Sequence, residues 1–452
     1  MSRFSLVDAA LQNGSAAAPL WRFFVPGRIE VFGKHTDYAG GRSLLAAVPR
    51  GFAVSAAPAT DRRVVVVDAA TGDRFIASLD APPGAAQEWH HYALAVVRRL
   101  AANFPDADLS TRIAFSSDLP RAAGISSSSA LIIALAEALI ARARLDETPL
   151  WRQTIVGDED RAAYFGCIEN GASFRSLAGD AGVGTHGGSE DHAAIVLSRA
   201  GELRQFAFAP LRLERVIAMP AGWTFAVVFT GVHAAKAGDR QADYNRLAIA
   251  CTSIVTAWRE RHAGDERTLG ELARAGCFRH VGPHVGSSGD RRREPPDLFD
   301  APAAQTLHRR EIGVGKTEVA TTESSRAHAE RLAERLAHFV REDARVAEAA
   351  EAFARGEIDV IGELARASHM DAMQLLRNQV PETNDLVAMA GELGAGAASA
   401  FGGGWGGSVW ALVRSTDAGR FLGRWLGAYS ARHPRRAATG FISPPSTGVI
   451  RA

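Results

Sequence analysis

Residues 27–41, GRIEVFGKHTDYAGG, constrain the fold more than any other stretch of this chain. From Arg28 to Phe32 polar and apolar residues alternate, the period-two pattern of a strand with one buried face. Gly33 then opens a turn that carries Lys34, His35, Asp37 and Tyr38, so a cation, an imidazole, a carboxylate and a phenol lie within five residues. Taken alone, the turn reads either as a solvated loop or as a carbohydrate-binding edge. The residues that follow have to decide.

With 452 residues and a hydrophobic fraction of 47%, the chain can build two or three domains with real cores. Its 51 Lys and Arg against 50 Asp and Glu leave a net charge of +1, so no global field recommends nucleic acid or an anionic membrane surface, and small ligands are the expected partners. Lys34, Lys236 and Lys316 are the three lysines, which singles out each of them. Cys167, Cys251 and Cys277 are odd in number and widely spaced, a pattern of neither a disulfide framework nor a zinc site. No apolar run is long enough to cross a bilayer and no leader pattern opens the chain, so a cytoplasmic protein is expected; the oligomeric state is not legible.

Strands are expected at 43–57, 62–68, 111–117 and 225–229, and an amphipathic helix at 89–103 with Trp89 and Tyr92 at its start. The stretch 120–129, PRAAGISSSS, runs into an apolar helix expected at 131–143. A small-residue loop ahead of a helix leaves backbone N–H groups unpaired at the positive end of the helix dipole, which suits a phosphate; a serine N-cap with a flexible lead-in has the same pattern. Residues 313–317, GVGKT, are not a Walker motif, because Arg310 stands where its first glycine belongs. They fall in a Pro-, Arg- and His-rich excursion at about 278–325, which includes Arg291, Arg292 and Arg293.

Taken together, these stretches resemble the GHMP kinase superfamily, most closely its galactokinase branch. Residues 27–41 are similar to the galactokinase signature GRVNLIGEHTDYNGG, residues 120–129 to the phosphate loop PxGxGLSSSA, and residues 401–407, FGGGWGG, to the third signature TGGGFGG. Trp89-His90-His91-Tyr92 resembles WxxY, Glu169-Asn170 resembles the end of AEN, Gly188-Ser189-Glu190-Asp191-His192 resembles GIMDQ, and Asp243-Tyr244-Asn245 matches the region of a sugar-side tyrosine. His338 to Val346 and Ser368-His369 follow the C-terminal helical pattern.

The resemblance implies an α+β fold of two domains: an N-terminal one like ribosomal protein S5 domain 2 (1–215) and a ferredoxin-like C-terminal one (216–452), with the active site in the cleft. Strands dominate before 118 and helices from 326 to 394, which agrees. It implies an ATP-dependent sugar 1-kinase with ATP as co-substrate and Mg²⁺ as cofactor. Arg28 and Asp191 would be catalytic; Lys34, His35, Asp37, Tyr38 and Tyr244 would bind the sugar; Trp89, Gly124, Ser126, Ser127, Ser128 and Ser129 would bind ATP. Gly402, Gly403, Gly404 and Gly406 form the third glycine motif, and Ser128 and Glu169 would hold the metal, because hard cations take oxygen ligands.

Lys34 stands where galactokinases carry Glu. A lysine donates and cannot accept, so it meets either a substrate carboxylate, as in a hexuronic acid such as galacturonate, or an internal acid such as Glu190 or Glu30 beside a neutral sugar. Residues 179–188 form a longer glycine-rich connection than is usual in that branch, flanked by His186 and His192, which read as polar loop residues. Ser399 replaces its usual arginine. The alternatives are a catalytically silent sensor that binds ATP and sugar, and a GHMP kinase for another small alcohol.

Overall fold

The computed structural model describes residues 3–12, 21–80, 89–120, 122–234, 240–278 and 322–452. Most of the excursion expected at 278–325, with residues 291–293 and 313–317, lies outside the described residues, as do Lys236 and Lys316. Residues 322–325 begin a helix.

The strands are β1 (Trp21–Phe32), β2 (Arg42–Pro58), β3 (Arg63–Asp68), β4 (Arg74–Ser78), β5 (Thr111–Ser117), β6 (Glu202–Ala207), β7 (Arg212–Ala218), β8 (Trp223–Phe229), β9 (Ala397–Phe401), β10 (Ser408–Arg414), β11 (Thr439–Ser443) and β12 (Ile450–Arg451). Among the described residues they form two sheets. The first has eight strands in the order β12-β1-β2-β5-β3-β4, with β6 on the other end of β2 and β7 beside β6. All its pairings are antiparallel except β3 with β5. The second is antiparallel, β11-β8-β10-β9.

The 215/216 division expected from the sequence falls inside β7, which belongs whole to the first sheet. The end of the chain also returns there, since β12 pairs with β1 through Phe23↔Arg451 and Phe24↔Ile450. β7 thus stays with the first sheet and β8 opens the second, with the last strand returning to the first.

β1 is buried along nearly its whole length, not on one face only. The helices Ser127–Ala143 and Glu190–Leu197 pack against it, so its alternation separates two buried environments. Ile29 and Val31 enter the apolar core, while Arg28 and Glu30 are buried polar groups. A register shift between Pro26 and Arg28 re-aims this end of the strand, as bulges do near functional sites. The helix after the serine loop begins at Ser127, four residues earlier than its apolar pattern suggests, because Ser127 to Ala130 form its first turn without contributing bulk.

Trp410 on β10 joins the two sheets. It is fully buried, edge-on to Phe32 of β1 at 6.2 Å and to Phe225 of β8 at 5.6 Å. A smaller core of Ile254, Leu272, Leu332, Leu336 and Phe339 holds the helices Gln241–Arg261, Leu269–Arg274 and Thr322–Arg355 together beneath the turn at Tyr38. Truncating a buried tryptophan leaves a cavity and costs about 3–5 kcal/mol. Trp410→Ala is expected to lose that much in urea unfolding, whereas Val156→Ala, at an exposed site, changes stability by no more than about 0.5 kcal/mol.

Candidate functional site

The end of β1, the serine loop, the helix at Glu190 and the third glycine motif meet at one guanidinium. Arg28 donates from Nε to Asp191 Oδ1 at 2.8 Å and from Nη1 to the Gly124 carbonyl at 2.5 Å, and its Nη2 lies 2.6 Å from Asp191 Oδ1. Burial works against its charge, but the carboxylates of Asp191, Glu190 and Glu30 outweigh burial and hold the guanidinium above its ordinary range. A Cβ on Gly402 would stand 2.7 Å from the Gly124 carbonyl, so the third motif can approach the serine loop only as glycine.

Two recesses open on either side of this junction. The smaller, about 490 Å³, is lined by Arg28, Glu30, His35, Asp37, Glu169, Asn170, Thr185, Glu190, Asp191, His192, Tyr244, Gly402 and Gly403 among others. The larger, about 1490 Å³, is bounded by Trp89, Tyr92, Phe115, Asp68, Gly124, Ser126, Ser127 and Ser128. Trp89 stands edge-on to Phe115 at 5.0 Å and donates its indole N–H to Asp73 at 2.7 Å. Ser126 has a left-handed backbone, φ +58°, and a buried hydroxyl without a protein partner.

Ser129 lies between the recesses. Its Oγ donates to Glu169 Oε2 at 2.7 Å and is 3.3 Å from Asp191 Oδ2, whereas Ser128 faces the larger recess. The hydroxyl bonded to Glu169 is therefore that of Ser129. His192 is not a loop residue: it lies in the helix Glu190–Leu197, almost fully buried, with Nε2 3.1 Å from Glu169 Oε2 but outside hydrogen-bond alignment.

His35 has φ +57°, a strained backbone for a non-glycine residue. It is held there from three directions. Arg335 donates to its carbonyl, its Nε2 is 3.1 Å from the Gly403 carbonyl, and its Nδ1 is 3.2 Å from the Tyr38 hydroxyl, which itself accepts from Arg335 at 3.0 Å. Because Tyr38 accepts from Arg335, its O–H donates to Nδ1, and Nε2–H donates to the Gly403 carbonyl. Tyr38 is a buttress behind His35 and does not line the recess. Asp37 accepts from the Glu190 N–H at 3.2 Å; a Cβ on Gly188 would come within 2.4 Å of Asp37 Oδ2, which accounts for that glycine. Tyr244 lines the recess, its ring 5.5 Å from that of His35. Gly404 and Gly406 press on Asn378 and Val232 and shape the loop from outside.

Residues 13–58 match the galactokinase galactose-binding signature, residues 91–156 the N-terminal domain of GHMP kinases, and residues 349–431 the GHMP kinase C-terminal region. A galactokinase from Roseiflexus sp. (strain RS-1) is 27% identical over 430 residues, covering 94% of this chain and 91% of its own. The crystal structure of Lactococcus lactis galactokinase complexed with galactose matches with a TM-score of 0.71 at 20% identity, over 96% of this chain and 95% of that one. Methanococcus jannaschii mevalonate kinase matches with a TM-score of 0.53 at 11% identity, over 96% of this chain and 100% of that one. Over these stretches the chain is similar to the GHMP kinase superfamily. It is galactokinase-like, a phosphotransferase with an alcohol group as acceptor, and its two-domain α+β architecture is the one expected from the sequence.

Lys34 does not line the recess. Its ammonium donates to Ser368 Oγ at 2.7 Å and lies 4.0 Å from Glu342 Oε1; Ser368 donates in turn to Glu342 at 2.8 Å, and Gly33 N–H to the same carboxylate at 3.0 Å. The acid that meets Lys34 is thus Glu342, not Glu190 or Glu30. Burial disfavours the Glu342 carboxylate, but Lys34 and Arg345 outweigh it and hold the acid below its usual range. Arg335, His338, Glu342 and Arg345 recur at spacings of three and four along the helix Thr322–Arg355, forming a buried polar stripe behind the turn. That spacing is visible in the sequence, although the stripe also fits a solvated face. Asn378, 3.2 Å from His35 Nε2, has no comparable signal.

Removing one cation from a buried ionic network weakens the compensation of its acid, here leaving Glu342 to Arg345, so Lys34→Met is expected to cost about 3 kcal/mol in urea unfolding. Burial, with Lys34 nearby, pushes His369 down to about 4. Unfolded chains take up this proton near 6.5 and the folded protein does not until about 4. The stability His369 supports is therefore complete above pH 6.5 and declines by about 3 kcal/mol as pH falls towards 4. His338, also pushed down by burial, adds a loss of the same sign. Urea titrations across this range are expected to show the decline, and His369→Gln to flatten it.

Proposed function

We propose that this chain is an ATP-dependent sugar 1-kinase, transferring the γ-phosphoryl group of ATP to the anomeric hydroxyl of galactose or a closely related sugar. The observation that carries the reading is the buried Arg28–Asp191 pair at the junction of the two recesses, one polar and sugar-sized, the other roomy and bordered by aromatic residues and the serine loop. The curated galactokinase relative and the galactose-bound structure support the same substrate class.

Asp191 has a carboxylate oxygen facing the smaller recess, where it accepts or orients the proton of the attacking hydroxyl. Arg28 keeps Asp191 ionised and neutralises charge developing on the transferred group. His35, Asp37 and Tyr244 offer the ring, donor and acceptor groups that bind a pyranose, with Tyr38 and Arg335 fixing His35 in position. The backbone N–H groups of the serine loop and the helix beginning at Ser127 suit the phosphates, and Trp89 borders the space for the base.

Among the described residues no group of three or more His, Cys, Asp or Glu could hold a metal ion by itself. Glu169 with the hydroxyls of Ser128 and Ser129 nevertheless offers oxygen ligands suited to Mg²⁺, with the nucleotide completing the shell. Bound there, Mg²⁺ would offset phosphate charge. The hexuronate reading has little support, because Lys34 is engaged by Ser368 and Glu342 and the recess it was expected to serve is lined with carboxyls. A silent sensor is likewise disfavoured, since the Arg28–Asp191 pair is intact.

The test is ATP consumption by the purified protein with galactose, galacturonate, glucuronate, arabinose and N-acetylgalactosamine, on wild type and Asp191→Asn. Galactose or a close relative is expected to be turned over, and the variant to bind ATP while losing roughly 10²- to 10⁴-fold in kcat. ATP binding without turnover on any sugar would sink the kinase reading, and turnover of the variant near wild type would sink the role of Asp191.

A further inference from the structure

The smaller recess contains two carboxyl groups that phosphoryl transfer, as derived above, does not use. Glu30 lies two residues beyond Arg28 on β1 and is 3% exposed; its Oε1 is buried and accepts a hydrogen bond from no protein donor. Glu190, 5% exposed, precedes Asp191 at the start of its helix; its Oε2 accepts from Ser43 Oγ at 2.7 Å and its Oε1 is 4.0 Å from Arg28 Nε. Both face the recess. Against the galactokinase signatures, Glu30 replaces an asparagine and Glu190 a methionine, so both acids are additions.

Charge around the pair does not balance. Arg28 on β1 is taken by Asp191 and the Gly124 carbonyl. Lys34, on the turn after β1, attracts Glu30 but gives its hydrogen bond to Ser368, beside Glu342 of the long helix. Asp37, from the same turn, and Asp191 both repel Glu190. Burial first, and then repulsion by neighbouring acids, holds Glu190 well above the usual carboxylate range; burial raises Glu30 too, against the pull of Lys34 and Arg28 and a hydrogen bond shared with the Glu190 carboxyl. In the same lining, the buried Nδ1 of His192 also has no partner. A ligand that brings a cationic donor meets the unpartnered Glu30 Oε1 and stabilises the ionised form of both acids at once. A neutral hydroxyl supplies only the donor, and a carboxylate supplies neither.

We propose that Glu30 and Glu190 form an acidic subsite of the acceptor pocket that receives an ammonium group, so that the preferred acceptor is a hexosamine with a free amine. This rests on the sugar-kinase reading above. Glu30 supplies the unpartnered oxygen, and Glu190, fixed by Ser43, is the second acid, ionised by the arriving cation. Neither acid takes part in the transfer itself; both act on which sugar is held against Asp191.

The experiment compares kcat/KM of the full-length protein for galactosamine, galactose and galacturonate, in wild type and Glu30→Gln, with thermal melts establishing that the variant folds. Wild type is expected to favour galactosamine over galactose by about tenfold or more and to turn over galacturonate least, and Glu30→Gln to erase most of the amine preference while changing the galactose value much less. Galactosamine no better than galactose in wild type overturns the subsite, and that arm does not depend on the variant folding. An unchanged ratio in a folded Glu30→Gln also overturns it. If no sugar is phosphorylated, the kinase reading falls, and calorimetric binding of the same sugars decides the subsite separately: tighter galactosamine upholds it, equal or weaker galactosamine overturns it.

Discussion

The rest of the site depends on the burial of Arg28. An arginine almost wholly withdrawn from water is strongly unfavourable unless its donors are matched, and here one side of the fork is taken by Asp191 and another N–H by the Gly124 carbonyl. Those partners come from segments about a hundred and more residues away in the chain, so the guanidinium holds the first sheet, the serine loop and the helix at Glu190 in one fixed relation. The third glycine motif closes on the same spot because Gly402 lets its backbone reach Gly124. A lysine could satisfy one of these partners, not both in that geometry.

Much of the architecture could be read from the chain, because period and punctuation are local. The strand at Val64 to Val67 and the helix following Trp89 occur close to where alternation and helical spacing put them. Three short motifs, each with a physical reason for its glycines or serines, marked residues that the fold brings around two adjoining recesses. What the sequence concealed is long-range pairing. β12 has no pattern of its own, two residues that become a strand only because β1 offers an open edge. Lys34 shows the same limit: its partner Glu342 lies more than three hundred positions away, and nearer acids looked equally suitable.

His35 shows how this distance is used. Its left-handed backbone is held by Arg335 on the long helix and by Gly403 after β9, so the turn is shaped by C-terminal elements that the turn sequence cannot foretell. The buried stripe Arg335, His338, Glu342 and Arg345 therefore acts as a template behind the turn. It also explains why a lysine is compatible with position 34. Glu342 is already anchored by Gly33 N–H, Ser368 and Arg345, and a cation beside it completes the network, whereas an acid there would add a second buried negative charge.

That trade changes the electrostatics of the recess itself. With Lys34 directed to Glu342, the positive charge facing the recess is that of Arg28, while Glu30, Asp37, Glu169, Glu190 and Asp191 bring five carboxyl groups to it. Arg28 and Asp191 form a tight pair, so the remaining acids set the field a ligand meets after leaving water. In a site so little exposed, solvent screens these charges weakly, and a difference of one charge between ligands weighs more than a difference of one hydroxyl. In the proposed reading, selection by charge and positioning for transfer fall to different residues on the same two elements. Arg28 and Glu30 share β1, and Asp191 and Glu190 share a helix start, so a change in acceptor preference would arise at either acid without dismantling the pair proposed to do the chemistry.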